Sequence, residues 1–301
     1  MHEIILTVFT PLYNREKSIF EVYKSLCKQT SKNFIWLVIN DGSSDRSGEI
    51  MDNIIKKHDE QDFIIRYFMQ DNLGLNRTIN RALNLIETPL VMRLDSDDIA
   101  APDAVKLTEA YYPHIKFNEK LCALVFRSSQ FNGKYTGYHP FVKPTICNFF
   151  SYRDRLNGKG DRAEVMKTEV YRKFRFPEFD NEKFCPEGLI WHRISKEYDA
   201  LYLCEVSYMK GTPDDSITSD VYNYLKRNCK GTSLYYYELV NDKRLTYKFR
   251  LGQLIRYYRY APYAHATLFK GIPLKLFLIG FPLGVGVFIY DGLCSLIKSL
   301  H

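Results

Sequence analysis

The strongest constraint on this chain is a rhythm in its first hundred residues. Short apolar runs rich in β-forming side chains recur at residues 4–9, 34–39 (FIWLVI), 63–69 (FIIRYFM) and 89–94 (PLVMRL). Between them, residues 15–29, 45–58 and 76–86 are long enough for helices and carry apolar side chains three and four positions apart. Ile19, Val22, Tyr23 and Leu26, for example, share one stripe. Parallel strands cannot be joined by a tight hairpin, so this alternation predicts an α/β fold: a mostly parallel sheet flanked by helices. With 301 residues, 46% hydrophobic and 26% charged, the chain has the composition of a folded protein of one large domain or two smaller ones.

In such sheets ligands sit at the carboxyl ends of the strands. The segments there are Thr10-Pro11-Leu12-Tyr13-Asn14, Asn40-Asp41-Gly42-Ser43-Ser44-Asp45, Gln70-Asp71-Asn72-Leu73-Gly74 and Asp95-Ser96-Asp97-Asp98. Singly, residues of these types serve turns and helix caps. Four polar loops on one edge of one sheet point to a polar ligand. Asp95, Asp97 and Asp98 are the most informative, because three carboxylates in four positions repel one another unless a cation neutralises them. Hard carboxylate oxygens suit Mg²⁺ or Mn²⁺, which bridges to phosphate oxygens of a substrate.

The second half is less regular. Residues 121–126 read as a strand, 131–139 as a hairpin or loop turning at Asn132-Gly133, and 163–174 and 187–198 as helices. Beyond about Ser219 the pattern becomes long helix rich in Tyr, Lys and Arg. Seven scattered cysteines, an odd number without any Cys-x-x-Cys pair, indicate a reducing compartment and show neither a disulfide framework nor a zinc site. The N-terminus reads as lacking a signal peptide, so the N-terminal part is expected in the cytosol.

The strings TPLYN, NDGSSDRS, QDNLGLNRTIN and LDSDD, in this order and spacing over roughly residues 1–110, resemble the successive motifs of the family 2 glycosyltransferases of the GT-A fold. The resemblance implies a Rossmann-like nucleotide-diphospho-sugar transferase with a nucleotide-sugar donor, a divalent metal (Mg²⁺ or Mn²⁺) and inversion at the anomeric carbon. Carried over by position, Thr10, Pro11 and Tyr13 line the nucleoside pocket with Arg15 nearby, and Asp41 accepts from the base. Asn72 and Gly74 border the nucleotide, Asp95 faces the ribose or sugar with Ser96 also at the donor, and Asp97 and Asp98 hold the metal. The family takes its general base from an acidic pair at a helix start, followed by an Arg. That match is Glu187, with Arg193 downstream, and Gly188 stands where the second acid is common. Whether the nearby Glu182 or Asp180 contributes in place of that second acid is left open by the sequence. GKGDRAEVMKTEV and FPEFDNEKFCPEG resemble segments of bacterial enzymes of surface-polysaccharide assembly, which makes Asp161 and Glu164 candidates for acceptor or donor contact. Many relatives present a late His to the metal; Tyr208-Met209-Lys210-Gly211-Thr212 offers none, leaving His139 and His192 as substitutes. No Gln-x-x-Arg-Trp motif of processive synthases is present, so one sugar per encounter is expected.

The net charge of +7 excludes less than it first suggests. Residues 242–301 hold nine Lys/Arg against Asp242 and Asp291, which accounts for all of it and leaves residues 1–241 formally neutral. A nucleic-acid-binding core is therefore not expected. Residues 276–290 carry no charge, and residues 271–297 form an apolar segment interrupted by Pro282, Gly280, Gly284 and Gly286, suited equally to a span or to an interfacial hairpin. Preceding basic residues interleaved with Tyr247, Tyr257, Tyr258, Tyr260 and Tyr263 suit an anionic membrane boundary. A helical cap on the catalytic domain or a dimer interface is the alternative.

The expected organisation is a catalytic domain over residues 1–218 (nucleotide-sugar half 1–110, acceptor half 111–218) and a tail over 219–301. The expected protein works at the cytoplasmic face of a bacterial membrane, on a glycan acceptor such as one linked to polyprenyl diphosphate; a homo-oligomer is compatible with it. Two rivals stand beside this. A nucleotidyltransferase should show a basic Gly-rich phosphate loop after the first strand, and none is there. A membrane-tethered, non-catalytic nucleotide-sugar-binding protein is favoured by Gly188.

Overall fold

The structure is a computed structural model that describes residues 3–59, 62–211 and 221–299, with side chains up to residue 294 in the last of these. Thr212 and the 218/219 domain boundary expected from the sequence lie outside the described residues. Two compact units are present, residues 1–175 with 193–216, and residues 176–192 with 217–301.

The first unit is built on strands β1 (Leu6–Leu12), β2 (Phe34–Asp41), β3 (Ile64–Gln70), β4 (Leu90–Arg93), β5 (Ile99–Ala100), β6 (Leu121–Gln130), β7 (Thr145–Cys147), β8 (Arg162–Lys167) and β9 (Asp199–Lys210). Its crossover helices are α1 (Ile19–Cys27), α2 (Ser47–Lys57) and α3 (Leu75–Leu85), joined by α4 (Ala104–Lys116) and α5 (Thr168–Lys173). The strands run in the order β3-β2-β1-β4-β8-β6-β9-β5, with β7 paired to β9. β3, β2, β1 and β4 are mutually parallel, as the strand-helix rhythm predicts. Every residue of β2 is buried, the condition of a central strand covered on both faces. Trp36 lies at its centre without solvent exposure and donates its indole N–H to the Thr10 hydroxyl at 3.0 Å. Emptying such a site costs on the order of 3–5 kcal/mol.

Two expectations need correction. β1 runs on to Leu12, so Thr10 and Pro11 lie inside the strand, in register with Val38 and Ile39. Pro11 is tolerated because β4 pairs with β1 only as far as Phe9, leaving that edge open where the N–H is missing. Residues 163–167, expected to begin a helix, instead belong to β8 between β4 and β6, and helix starts only at Thr168. There residues 162–166 pair with β6 and 165–167 with β4, and Ala163, Val165 and Met166 are buried, so sheet pairing overrides the helical spacing. The turn at Asn132-Gly133 closes as expected, with Gln130 N–H donating to Lys134 O at 2.8 Å.

The second unit contains α7 (Val221–Arg227), α8 (Cys229–Asn241), α9 (Tyr247–Tyr260) and α10 (Leu274–Ser299); α6 (Gly188–Ile194) begins in it. Tyr257, Tyr258 and Tyr260 are buried here, not available at a membrane boundary. The hydroxyls of Tyr257 and Tyr258 donate to Thr267 O (2.7 Å) and Leu268 O (2.9 Å), and Tyr260 stacks on Tyr236. Aromatic rings with satisfied hydroxyls serve here as core.

Candidate active site

The loops after β1, β2, β3 and β4 come together at the carboxyl edge of the sheet and are stitched to one another. Asn14 N–H donates to Ser43 Oγ (3.1 Å), Ser44 N–H to Asn14 Oδ1 (2.8 Å), and Arg15 N–H to Ser47 Oγ (2.8 Å). Asn14 takes a left-handed φ of 49° to do so, a conformation its short polar side chain tolerates. Asp41, nearly fully buried, accepts from Gln70 Nε2 (2.6 Å) and Leu73 N–H (2.9 Å) on Oδ1 and from Gly74 N–H (2.8 Å) on Oδ2. Its carboxylate thus holds the turn into α3. Gly42, at φ +70°, lets that turn approach; a Cβ there would lie 2.7 Å from Asn72 N.

The fourth loop carries the acids. Arg93 Nε reaches Asp95 Oδ1 at 2.9 Å, Arg15 Nε reaches Asp97 Oδ2 at 3.4 Å, and Gly211 N–H donates to Asp98 Oδ1 at 2.9 Å. Ser96 is buried, its carbonyl accepting from Ser18 Oγ at 2.7 Å. Burial first, then the charge of Asp95, raises the Asp97 carboxyl above its usual range and pushes Asp98 up to about 7. Asp97, partly exposed beside Arg15, and the buried Asp98 offer hard carboxylate oxygens of the kind that suit a divalent cation. Among the described residues no group of three His, Cys, Asp or Glu side chains gathers closely enough to hold a metal alone. The remaining ligand positions would fall to donor oxygens and water.

Sheet order brings two further residues to this edge. β9 pairs antiparallel with β5 through Ile99 and Met209, which sets Lys210 beside the acidic loop. Lys210 ion-pairs with Asp161, the residue before β8, and the charges of Asp161, Asp98 and Asp95 raise its ammonium pKa against the effect of burial. Asp161 therefore stands opposite a lysine at the site's rim. Glu164 lies on β8 in register with Val125. No local motif marks Lys210; its strand's position in the sheet is what brings it to this edge.

Thr10 differs from expectation. Fully buried with its hydroxyl engaged by Trp36, it supports the pocket wall from within the core and does not line it with its side chain. Tyr13, in contrast, is exposed. His139 is set against the Tyr152 hydroxyl (3.3 Å), with burial and the charges of Arg162 and Arg127 holding its pKa down to about 4. His192 is fully buried, its Nε2 3.8 Å from both Glu238 and Asp242. His139 is thus engaged within the first unit, and His192 belongs to the second.

Glu187 belongs to the second unit, at the start of α6, where its carbonyl accepts from Ile190 N–H at 3.0 Å. The segment leading to it is latched onto α7 and α8. Asn228 Oδ1 accepts from Lys183 N–H (2.9 Å) and Phe184 N–H (3.0 Å), while Glu182 accepts from Lys230 N–H (2.7 Å) and Gly231 N–H (3.0 Å). Glu182 thereby caps the positive end of α8, a structural use of that acid. Tyr224 is raised to about 12 by burial and by the charge of Glu187, which sets the carboxylate near this ring. Gly188 also has a packing reason, since a Cβ there would come within 2.4 Å of the Tyr235 hydroxyl. Arg193 lies one turn further along α6.

Comparison with known proteins gives concordant results. The family model described as "Glycosyl transferase family 2" matches residues 7–175. Glycosyltransferase GlyA of Streptococcus pneumoniae is 40% identical over 101 residues, 34% of this chain and 14% of that protein. The teichoic acid poly(glycerol phosphate) polymerase of Staphylococcus epidermidis is 37% identical over 101 residues, again 14% of its length, so the matched region is a small part of both relatives. An uncharacterized glycosyltransferase of Haemophilus influenzae is 24% identical over 231 residues, covering 73% of this chain and 69% of that protein. Among solved structures, S. aureus TarS 1-349 in complex with UDP-GlcNAc matches with a TM-score of 0.64 at 19% identity, covering 95% of this chain and 80% of that one. The mannosyltransferase PcManGT of Pyrobaculum calidifontis, in complex with GDP-Man and Mn²⁺, matches with a TM-score of 0.56 at 15% identity, covering 99% and 84%. At these identities the likeness is one of fold.

Proposed function

The chain belongs to glycosyl transferase family 2, and from that premise we propose that it transfers a sugar from a nucleotide-sugar donor to a glycan acceptor at the cytoplasmic face of a bacterial membrane, one sugar per encounter. The observation that supports this reading is the meeting of four strand-end loops at one sheet edge, the fourth of which carries Asp97 beside Arg15 and the buried Asp98. Tyr13, with Arg15 near it, lines the nucleoside pocket that Asn72 and Gly74 border, Asp41 holds the base-side turn, and Asp95 faces the ribose or sugar. Asp97 and Asp98 would hold Mg²⁺ or Mn²⁺, which when bound neutralises charge on the leaving diphosphate. Glu187 takes the proton of the acceptor hydroxyl as its oxygen bonds to the anomeric carbon, and the bond to the diphosphate oxygen breaks with inversion. Asp161, Glu164 and Arg193 are support or acceptor contacts. Catalysis is assigned to residues 1–218 and membrane attachment to 219–301, with a lipid-linked glycan as the acceptor class.

A thermal-shift screen of UDP, GDP, CDP and dTDP sugars with Mn²⁺ tests the reading, because a ligand at 100 times its Kd stabilises the folded state by about 2.7 kcal/mol. One donor is expected to raise the melting temperature by several degrees, and failure of all four would count against it. Lys210 adds a positive charge fixed by the protein beside the diphosphate. Lys210→Ala is expected to lower kcat by roughly 10- to 100-fold, with Lys210→Arg recovering part of the loss. A rise in KM alone, at unchanged kcat, would instead make it a ground-state contact.

A further inference from the structure

Residues 274–294 of α10 form a stretch of 21 residues with mean hydropathy 1.8, long enough to cross a bilayer. The packing of the second unit argues for a different use. One face of α10, marked by Leu276, Gly280, Gly284 and Asp291, is buried. The two glycines let α9 in closely: a Cβ at Gly280 would lie 2.5 Å from Leu254 Cδ2, and one at Gly284 2.5 Å from Tyr258 Cβ. Phe281 packs edge-on against Tyr258, and Arg259 of α9 grips Asp291 through both carboxylate oxygens, Nη2 to Oδ1 at 2.7 Å. α9 carries Lys248, Arg250, Arg256 and Arg259 and is no membrane span. For α10 to cross a bilayer it must either drag this charged helix with it or leave Asp291 without its arginine in hydrocarbon, and both are costly.

The opposite face of α10 tells where the helix goes. Leu274, Leu278, Ile279, Leu283, Ile289, Tyr290 and Leu293 are all exposed and lie away from the face marked by Leu276, Gly280, Gly284 and Asp291. They make one apolar ridge about 30 Å long at 1.5 Å per residue, larger than the scattered apolar residues of an ordinary surface. Charge identifies its occupant. Lys275 stands in the first turn of the ridge, and Phe269 and Lys270 are exposed in the connection just before it. The two acids between residues 242 and 301, Asp242 and Asp291, are already paired with Arg244 and Arg259. Exposed Lys243, Lys248 and Arg256 leave the helical unit with a positive field, complementary to anionic headgroups.

We propose that α9 and α10 dock together on one leaflet of an anionic bilayer, with the α10 ridge buried at the headgroup boundary and the helix lying in the membrane plane without crossing it. This rests on the reading of the chain as a membrane-attached transferase. The test uses the full chain, tagged at its C-terminus, added to preformed vesicles of phosphatidylcholine with or without phosphatidylglycerol. Flotation with the anionic vesicles, loss of at least 10-fold of that binding in Leu278→Asp/Leu283→Asp and in Lys270→Glu/Lys275→Glu, and a tag that stays open to added protease are the expected results. A tag protected from protease, with protein resisting alkaline carbonate, would overturn the proposal in favour of a span. A chain that ignores the vesicles and sediments as a dimer through the same ridge would overturn it in favour of a self-interface. The donor-induced thermal shift, measured on the same variants, does not involve the ridge; its presence while flotation fails separates an error about the tail from an error about the enzyme.

Discussion

Alanine at Asp97 is expected to reduce sugar transfer by at least about 10³-fold while leaving the chain as stable as before or slightly more so. Activity and stability separate because of the electrostatics of the loop. Burial and the neighbouring Asp95 raise the Asp97 pKa in the folded state, so the folded chain holds this proton more tightly than the unfolded one. Stability from this group is therefore greatest below the unfolded carboxylate pKa and declines as pH rises through the folded one. At neutral pH the carboxylate works against the fold, and deleting it removes a like charge. Arg15 Nε loses its partner at 3.4 Å, but both side chains have access to water, which limits that cost. Turnover against Mn²⁺ concentration, measured beside thermal melting at pH 7, checks both halves. Wild-type turnover in a chelator-controlled assay would remove Asp97 from the site, and a large loss of stability would recast it as structural.

Glutamine at Glu187 is expected to lower kcat by roughly 10²- to 10⁴-fold with donor affinity unchanged, since it keeps the size of the side chain and removes only its capacity to accept a proton. The backbone around it does not depend on that charge. Its carbonyl begins α6, and the preceding segment is held by Asn228 and Glu182. The contrast with Glu182→Gln is informative, because that change weakens the cap of α8 and should lower the melting temperature more than the intrinsic turnover of folded enzyme. Parallel measurement of kcat, donor Kd and melting temperature for the two variants separates the roles. Loss of donor binding in Glu187→Gln would sink its assignment as base.

How much of the site was legible depends on how local each signal is. The acids at 95, 97 and 98 are contiguous and follow a strand, so their placement at the carboxyl edge needed only the strand-helix rhythm. Thr10 is harder to read, because β1 continues to Leu12 and a hydroxyl inside the strand can turn to the core as readily as to a ligand. The helical spacing of residues 163–174 was real as a pattern, yet pairing on both edges made strand of its first part. Gly188 looked like a missing acid; Tyr235, 47 positions further on, supplies the steric reason for glycine.

The sequence by itself determined the parallel half of the sheet, the four polar loops, the acidic triplet and the family, because all of these are written in residues near one another in the chain. Tertiary structure alone decided what each loop residue does: Asp41 as a clamp on the β3–α3 turn, Lys210 beside acids more than a hundred residues earlier, and Asp291 as the partner of Arg259. The physical reason is common to all three. A buried or half-buried charge must find its counterpart in space, and that counterpart is set by strand order and helix packing, which no local pattern of residues records.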